Sequence, residues 1–189
     1  MIKIDLSANS EFAIKAEGEE KLPNGNHKVY KCPAGYDTAG HGFNIEKNKF
    51  PVDIAKKLLS EKVNQLKDSD IGDGNYTLIV GYDIEKEGLP DWAAKELLKR
   101  VLNASQDELI KNIKFWGDLD YVRRQVLIDM SYNMGWPTLN TFKKMFSALE
   151  KKDYKKAAAE MKDSKWYKQT GFRSKKLHES MLTGKWQEY

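Results

Sequence analysis

Residues 17–38 read EGEEKLPNGNHKVYKCPAGYDT, and the fold turns on how this stretch is parsed. Upstream, Phe12-Ala13-Ile14-Lys15-Ala16-Glu17 is a short helical run, and Gly18 is placed to stop it. Glycine suits the left-handed position that closes a helix. His27 to Cys32 then reads as extended, with Val29 and Tyr30 as strand formers. Pro33-Ala34-Gly35 forms a tight turn, and Tyr36 to Ala39 is the returning strand. This parse sets a helix-end carboxylate beside a small hairpin carrying Cys32, Asp37 and Thr38.

Working outward, Met1 to Leu6 alternates apolar and polar residues, like a short strand or an ordered arm, and Ser7 or Ser10 is the expected cap of the first helix. Beyond the hairpin the chain repeats itself at an offset of 39 residues: Phe43-Asn44-Ile45-Glu46-Lys47 matches Tyr82-Asp83-Ile84-Glu85-Lys86, Pro51 matches Pro90, and Leu58-Leu59 matches Leu97-Leu98. A strand-then-helix unit is expected twice, over 43–63 and 82–102. Each proline falls at a helix start, where its missing N–H costs nothing. The linking loop Lys67–Asn75 (KDSDIGDGN) is rich in turn formers but lacks the spacing of a calcium loop, so no metal is expected there.

From Pro90 to about Leu109, Ala93, Ala94, Leu97, Leu98 and Val101 recur on one helical side. A long helix joining two lobes is expected here, with Asn103 or Ser105 capping a short one after it. Val122, Val126, Leu127 and Met130 mark the next helix, with Asp120 at its start. Thr138 or Asn140 is read as opening another, Asp153 as capping Tyr154–Met161, and Gly184 as closing the last, Arg173–Leu182.

These motifs resemble the phage-type lysozymes, the endolysin family of muramidases. Tyr30-Lys31-Cys32-Pro33-Ala34-Gly35 and Thr38-Ala39-Gly40-His41-Gly42 are similar to that family's hairpin. So are Tyr121-Val122-Arg123-Arg124, Asp129 to Gly135, Ser164 to Thr170 followed by Arg173, and Thr183-Gly184-Lys185-Trp186. The resemblance covers residues 8–45 and 90–189, and residues 46–89 only loosely. Cys32 and Thr38 keep the family spacing, with five residues between them. Glu17 and Cys32 do not: fourteen residues intervene, and the surplus is placed in a loop at Pro23–His27. Phe43 stands where the family pattern has His, and His41 falls two residues earlier, which is read as a change in stability.

The resemblance implies an α+β, lysozyme-like fold: an N-terminal lobe with the hairpin sheet (1–102), a helical C-terminal lobe (103–189), and a cleft between them. It implies hydrolysis of the β-1,4 bond between N-acetylmuramic acid and N-acetylglucosamine in peptidoglycan. Opposed polar groups suit that chemistry. Glu17 would be the general acid, its carboxyl raised by burial and lowered by Arg173, with which an ion pair is expected. Thr38 would hold the water. Cys32 occupies the family's Asp-or-Cys position, but a free thiol titrates near about 8.5 and is a poor base at neutrality. Asp37 is the alternative, although strand alternation points Asp37 and Thr38 to opposite faces. Either one leaves room for a water and so implies inversion. Asn133 and Gln169 match polar positions that would meet the sugar. A lysozyme-fold module that binds wall without cleaving it is the competing reading.

Composition narrows the partners. With 189 residues, 40% hydrophobic and 11% aromatic, a packed core is available. Net charge is +4 and the pI about 8.9, which suits an anionic polymer such as cell wall. Basic residues are interspersed with acidic ones along the helices, which argues against nucleic acid. Cys32 is the only cysteine, so no internal disulfide forms. No cofactor is expected, and the protein is expected to be a monomer. No apolar run is long enough for a membrane span or a signal peptide's core. Synthesis in a bacterial host cytoplasm, with holin-type release or other export to the wall, is the corresponding expectation.

Overall fold

A computed structural model describes residues 2–18, 20–32, 35–60 and 83–189. The class is α+β, mostly helical with one small antiparallel sheet. The chain divides into two compact units, Glu17–Leu98 and Met1–Ala16 together with Lys99–Tyr189. The division falls at the last residue of helix α1 (Ser7–Glu17) and inside the long helix α4 (Asp91–Asn112).

The sheet unit carries β1 (Tyr30–Lys31), β2 (Asp37–Ala39) and β3 (Phe43–Asn44), in the order β1-β2-β3. Tyr30 pairs with Thr38 and Lys31 with Asp37, then Thr38 with Asn44 and Ala39 with Phe43. The β1–β2 connection is tight: the Gly35 N–H donates to the Cys32 carbonyl at 2.7 Å and the Cys32 N–H to that of Tyr36 at 3.0 Å. Pro33 and Ala34 lie outside the described residues. Ala39, Phe43, Ile45, Phe50, Ile54 and Leu97 are buried in this unit's core, and the rings of Phe43 and Phe50 meet edge to face at 5.9 Å. Gly40 adopts φ +59, and a Cβ there would stand 2.7 Å from the Ala94 side chain. No other residue lets β2 end so close to α4.

The two copies of the repeat make matching hydrogen bonds. Asn44 Oδ1 accepts from the N–H groups of Glu46 and Lys47, and Asp83 Oδ1 from those of Glu85 and Lys86. The Pro51 carbonyl receives the Ala55 N–H, and the Pro90 carbonyl that of Ala94, both at 3.0 Å. Each proline directly precedes its helix, α2 (Val52–Ser60) or α4. The copies differ where Ile45-Glu46-Lys47 is a turn and Ile84–Glu87 forms helix α3. Residues 61–82, including the KDSDIGDGN loop and the expected second strand, lie outside the described residues.

The helical unit is arranged around α5 (Tyr121–Met134), in which every residue from Arg123 to Ser131 is buried. A helix buried on all sides must satisfy its polar side chains within the protein. Arg123 donates to Asp120 and to the carbonyls of Met181 and Leu182, and Arg124 to those of Trp116 and Gly117. Around it run α6 (Trp136–Leu139), α7 (Lys143–Glu150), α8 (Tyr154–Lys162), α9 (Lys165–Gln169) and α10 (Phe172–Thr183). Asp120 and Asp153 cap α5 and α8 by accepting the N–H groups of Arg123 and Lys156, and Gly184 closes α10.

Of the two readings of the N-terminal segment the arm holds: residues 2–6 are fixed by Ile4 N–H to Gln106 Oε1 (2.7 Å) and by Trp116 Nε1 to the Ile2 carbonyl (2.9 Å). Three local expectations need correction. The free N–H at the start of α1 goes to Asp5, whose carboxylate takes the Ser7 N–H at 2.8 Å and its hydroxyl, because Ser7 is already helical. Asn103 and Ser105 sit inside α4, which runs unbroken to Asn112 because no glycine or proline interrupts it. Neither Thr138 nor Asn140 caps α7: Thr138 is inside α6, and α7 starts after Phe142 without a side-chain cap.

Candidate active site

Glu17 closes α1, half-buried, and Gly18 at φ +72 turns the chain away. The hairpin register decides which side chains share a face with one another. Tyr30 is opposite Thr38, and Cys32 exchanges a backbone hydrogen bond with Tyr36, so Tyr30, Cys32 and Thr38 lie on one face. Lys31 is opposite Asp37, and these two take the other face. There Lys31 Nζ reaches Asp37 Oδ1 at 2.8 Å and Glu46 Oε1 at 3.3 Å, while Glu46 also accepts the Asp37 N–H at 2.9 Å. This acidic–basic cluster keeps the Asp37 carboxylate on the side of the sheet away from Thr38.

Thr38 is buried, and its hydroxyl donates to the Tyr36 carbonyl at 3.1 Å. Its single proton is therefore engaged within the chain, and the oxygen's lone pairs are the part that can receive a water's proton. A water that donates to Thr38 keeps its own lone pairs for attack.

Tyr30 is the residue of this face that was not anticipated. Its phenol is pushed up to about 12, first by burial, then by the negative charges of Glu17 and Cys32, against a hydrogen bond from the Gly42 backbone. The helix-end carboxylate and the thiol thus act on one hydroxyl, which stays protonated and able to donate. The available signal was its place two residues before Cys32, which puts both side chains on one side of a strand.

Arg173, Asn133 and Gln169 belong to the helical unit. Arg173 Nε donates to Asp129 Oδ1 at 2.8 Å, both groups buried, and its guanidinium lies over the Tyr132 ring at 5.2 Å. Asn133 Oδ1 accepts from Trp166 Nε1 at 2.8 Å, so its carbonyl is taken up in joining α5 to α9. Gln169 is exposed at the end of α9.

Among known proteins, the phage lysozyme family model matches residues 21–180. Probable T4-type lysozyme 2 of Dictyostelium discoideum is 30% identical over 181 residues, covering 93% of this chain and 95% of that protein. Probable T4-type lysozyme 1 of the same organism is 37% identical over 67 residues, 35% of this chain and 39% of that protein. A family match across most of the chain and a relative aligned almost end to end place the chain in the phage lysozyme family of glycoside hydrolases.

Proposed function

We propose that the protein is a muramidase that cleaves the β-1,4 bond between N-acetylmuramic acid and N-acetylglucosamine in peptidoglycan, with inversion, and acts in bacterial cell lysis. The observation that carries this reading is the hairpin face on which Thr38 and Cys32 accompany Tyr30, with the Glu17 charge felt at the Tyr30 hydroxyl. Glu17 donates a proton to the leaving sugar oxygen as the glycosidic bond breaks. A water donating to Thr38 attacks the anomeric carbon from the opposite face, Cys32 polarises that water through a weak hydrogen bond, and the proton it sheds as the new C–O bond forms passes to solvent, from which Glu17 is reprotonated. Tyr30 acts as a positioning residue, its neutral O–H steadying the carboxylate or the thiol. Asp37, committed to Lys31 on the other face, has no part in the reaction. Asn133 and Gln169 offer amides to the sugar's N-acetyl groups.

The test is clearing of outer-membrane-permeabilised cells by the purified protein, with the anomer released from defined wall fragments followed by NMR. Clearing, first release of the inverted anomer, and loss of both in Glu17→Gln are expected. Sedimentation with sacculi without release of reducing ends would replace this reading by a wall-binding module.

A further inference from the structure

His27, at the end of the loop after Pro23, and His41, just past the end of β2, meet in space. Their rings pack edge to face with centroids 4.7 Å apart, and they are 1% and 2% exposed. Asp91, the first residue of α4, completes the group: its Oδ1 lies 3.3 Å from His27 Nε2, and one donor atom from each of the three residues falls within 4.8 Å of the others. We propose that His27, His41 and Asp91 form a binding site for a divalent cation of the zinc class. It would link the loop before His27, the end of the sheet and the start of α4, and it is separate from the hairpin face of Tyr30, Cys32 and Thr38.

The donor set suits such an ion. Imidazole nitrogen and carboxylate oxygen are zinc ligands, and two of them bound about 2.0–2.1 Å from a tetrahedral ion stand about 3.3 Å apart. His27 and Asp91 already have that spacing. The widest gap is at most 4.8 Å and closes by no more than about 1.5 Å when the ion binds. The ion would take the Nε2 lone pair of a neutral imidazole whose N–H sits on Nδ1, and any proton displaced from the ligands leaves to solvent. A water fills the fourth position on the exposed side of Asp91.

The frame is built to hold His27 still. Its N–H and carbonyl exchange hydrogen bonds with Leu89, both at 2.8 Å, and Asn24 and Asn26 fasten the loop to the Glu87 carbonyl. Gly88, at φ +71, lets the chain pass where a Cβ would stand 2.7 Å from the His27 carbonyl oxygen. Such a backbone clamp orients a ligand before the ion arrives. One neighbour opposes binding: Lys95 Nζ holds Asp91 Oδ2 at 2.7 Å. It therefore provides a variant that changes affinity without touching a ligand.

The experiment is titration of the chelator-treated full chain with Co2+, following d–d absorption, together with the thermal shift produced by Zn2+. Saturation at one equivalent is expected, with the intense d–d bands of tetrahedral coordination and no thiolate charge-transfer band. His27→Gln and His41→Gln should each weaken binding more than about 100-fold, beyond the 10–100-fold typical of outer-shell partners. Lys95→Met, at an exposed position, should fold normally and bind several-fold more tightly. Absent saturation, binding that survives either histidine variant, a thiolate band that vanishes in Cys32→Ser, or an affinity indifferent to Lys95 would each overturn the site. None of these readouts depends on hydrolysis, so failure of the muramidase reading and failure of the cation site are distinguishable.

Discussion

Arg173→Met tests how the helical unit accommodates charge in its interior. Asp129 is 0% and the Arg173 side chain 6% exposed, so water cannot replace the lost cation. Removing one partner of a buried pair costs about 3–5 kcal/mol, because a buried charge loses its compensation. By contrast, the Lys95–Asp91 pair, 57% and 43% exposed, belongs to the class worth about 0–1 kcal/mol. For a chain of this length each kcal/mol moves Tm by about 2–4 °C, so a fall of about 6–20 °C is expected. Met keeps apolar contact with Tyr132, so the loss reports on charge more than on packing. Four of the five tryptophans, Trp116, Trp136, Trp166 and Trp186, lie in the helical unit, so urea unfolding followed by tryptophan fluorescence reads this unit. Adding Asp129→Leu should recover most of the lost stability, since an apolar pair of similar volume commonly equals or exceeds a buried ion pair. A single variant costing less than about 1 kcal/mol, or a double variant no more stable than the single, would refute the reasoning.

The remaining predictions concern the hairpin and its frame. Glu17→Gln should lower wall hydrolysis by at least about 10²–10⁴-fold, the contribution of a general acid, while sedimentation with sacculi persists. Cys32→Ala should slow release of reducing ends, whereas Asp37→Asn, which breaks a pair on the opposite face, should leave the rate close to wild type. The Tyr30 phenol is raised from 10.0 to about 12, so the folded state holds a proton that the unfolded state releases first. That contribution is present below pH 10 and is lost as pH rises toward about 12, and Tyr30→Phe should flatten this part of the stability profile. Gly40→Ala should cost about 1–3 kcal/mol, read as a lower urea midpoint, because its Cβ would collide with Ala94 at a left-handed position.

Local chemistry made much of this protein legible in its residues. Gly18 ending α1, Asp120 and Asp153 capping, Gly184 closing α10 and the tight turn after Cys32 all follow from backbone conformations that few residues satisfy. Period-two alternation separated Asp37 from Thr38 in advance, because successive side chains on a strand must oppose one another. Local chemistry also misplaced some ends: Ser7 is already the first helical residue, and its own N–H and hydroxyl both go to the charged carboxylate of Asp5. What folding alone decided are the meetings of residues remote in the chain. Arg173 found Asp129, the Tyr30 hydroxyl came under the charge of Glu17, and His27, His41 and Asp91 converged from a loop, a strand end and a helix start. Spacing along a chain carries no measure of such distances, since each depends on how whole elements pack and on which buried polar group must then find a partner.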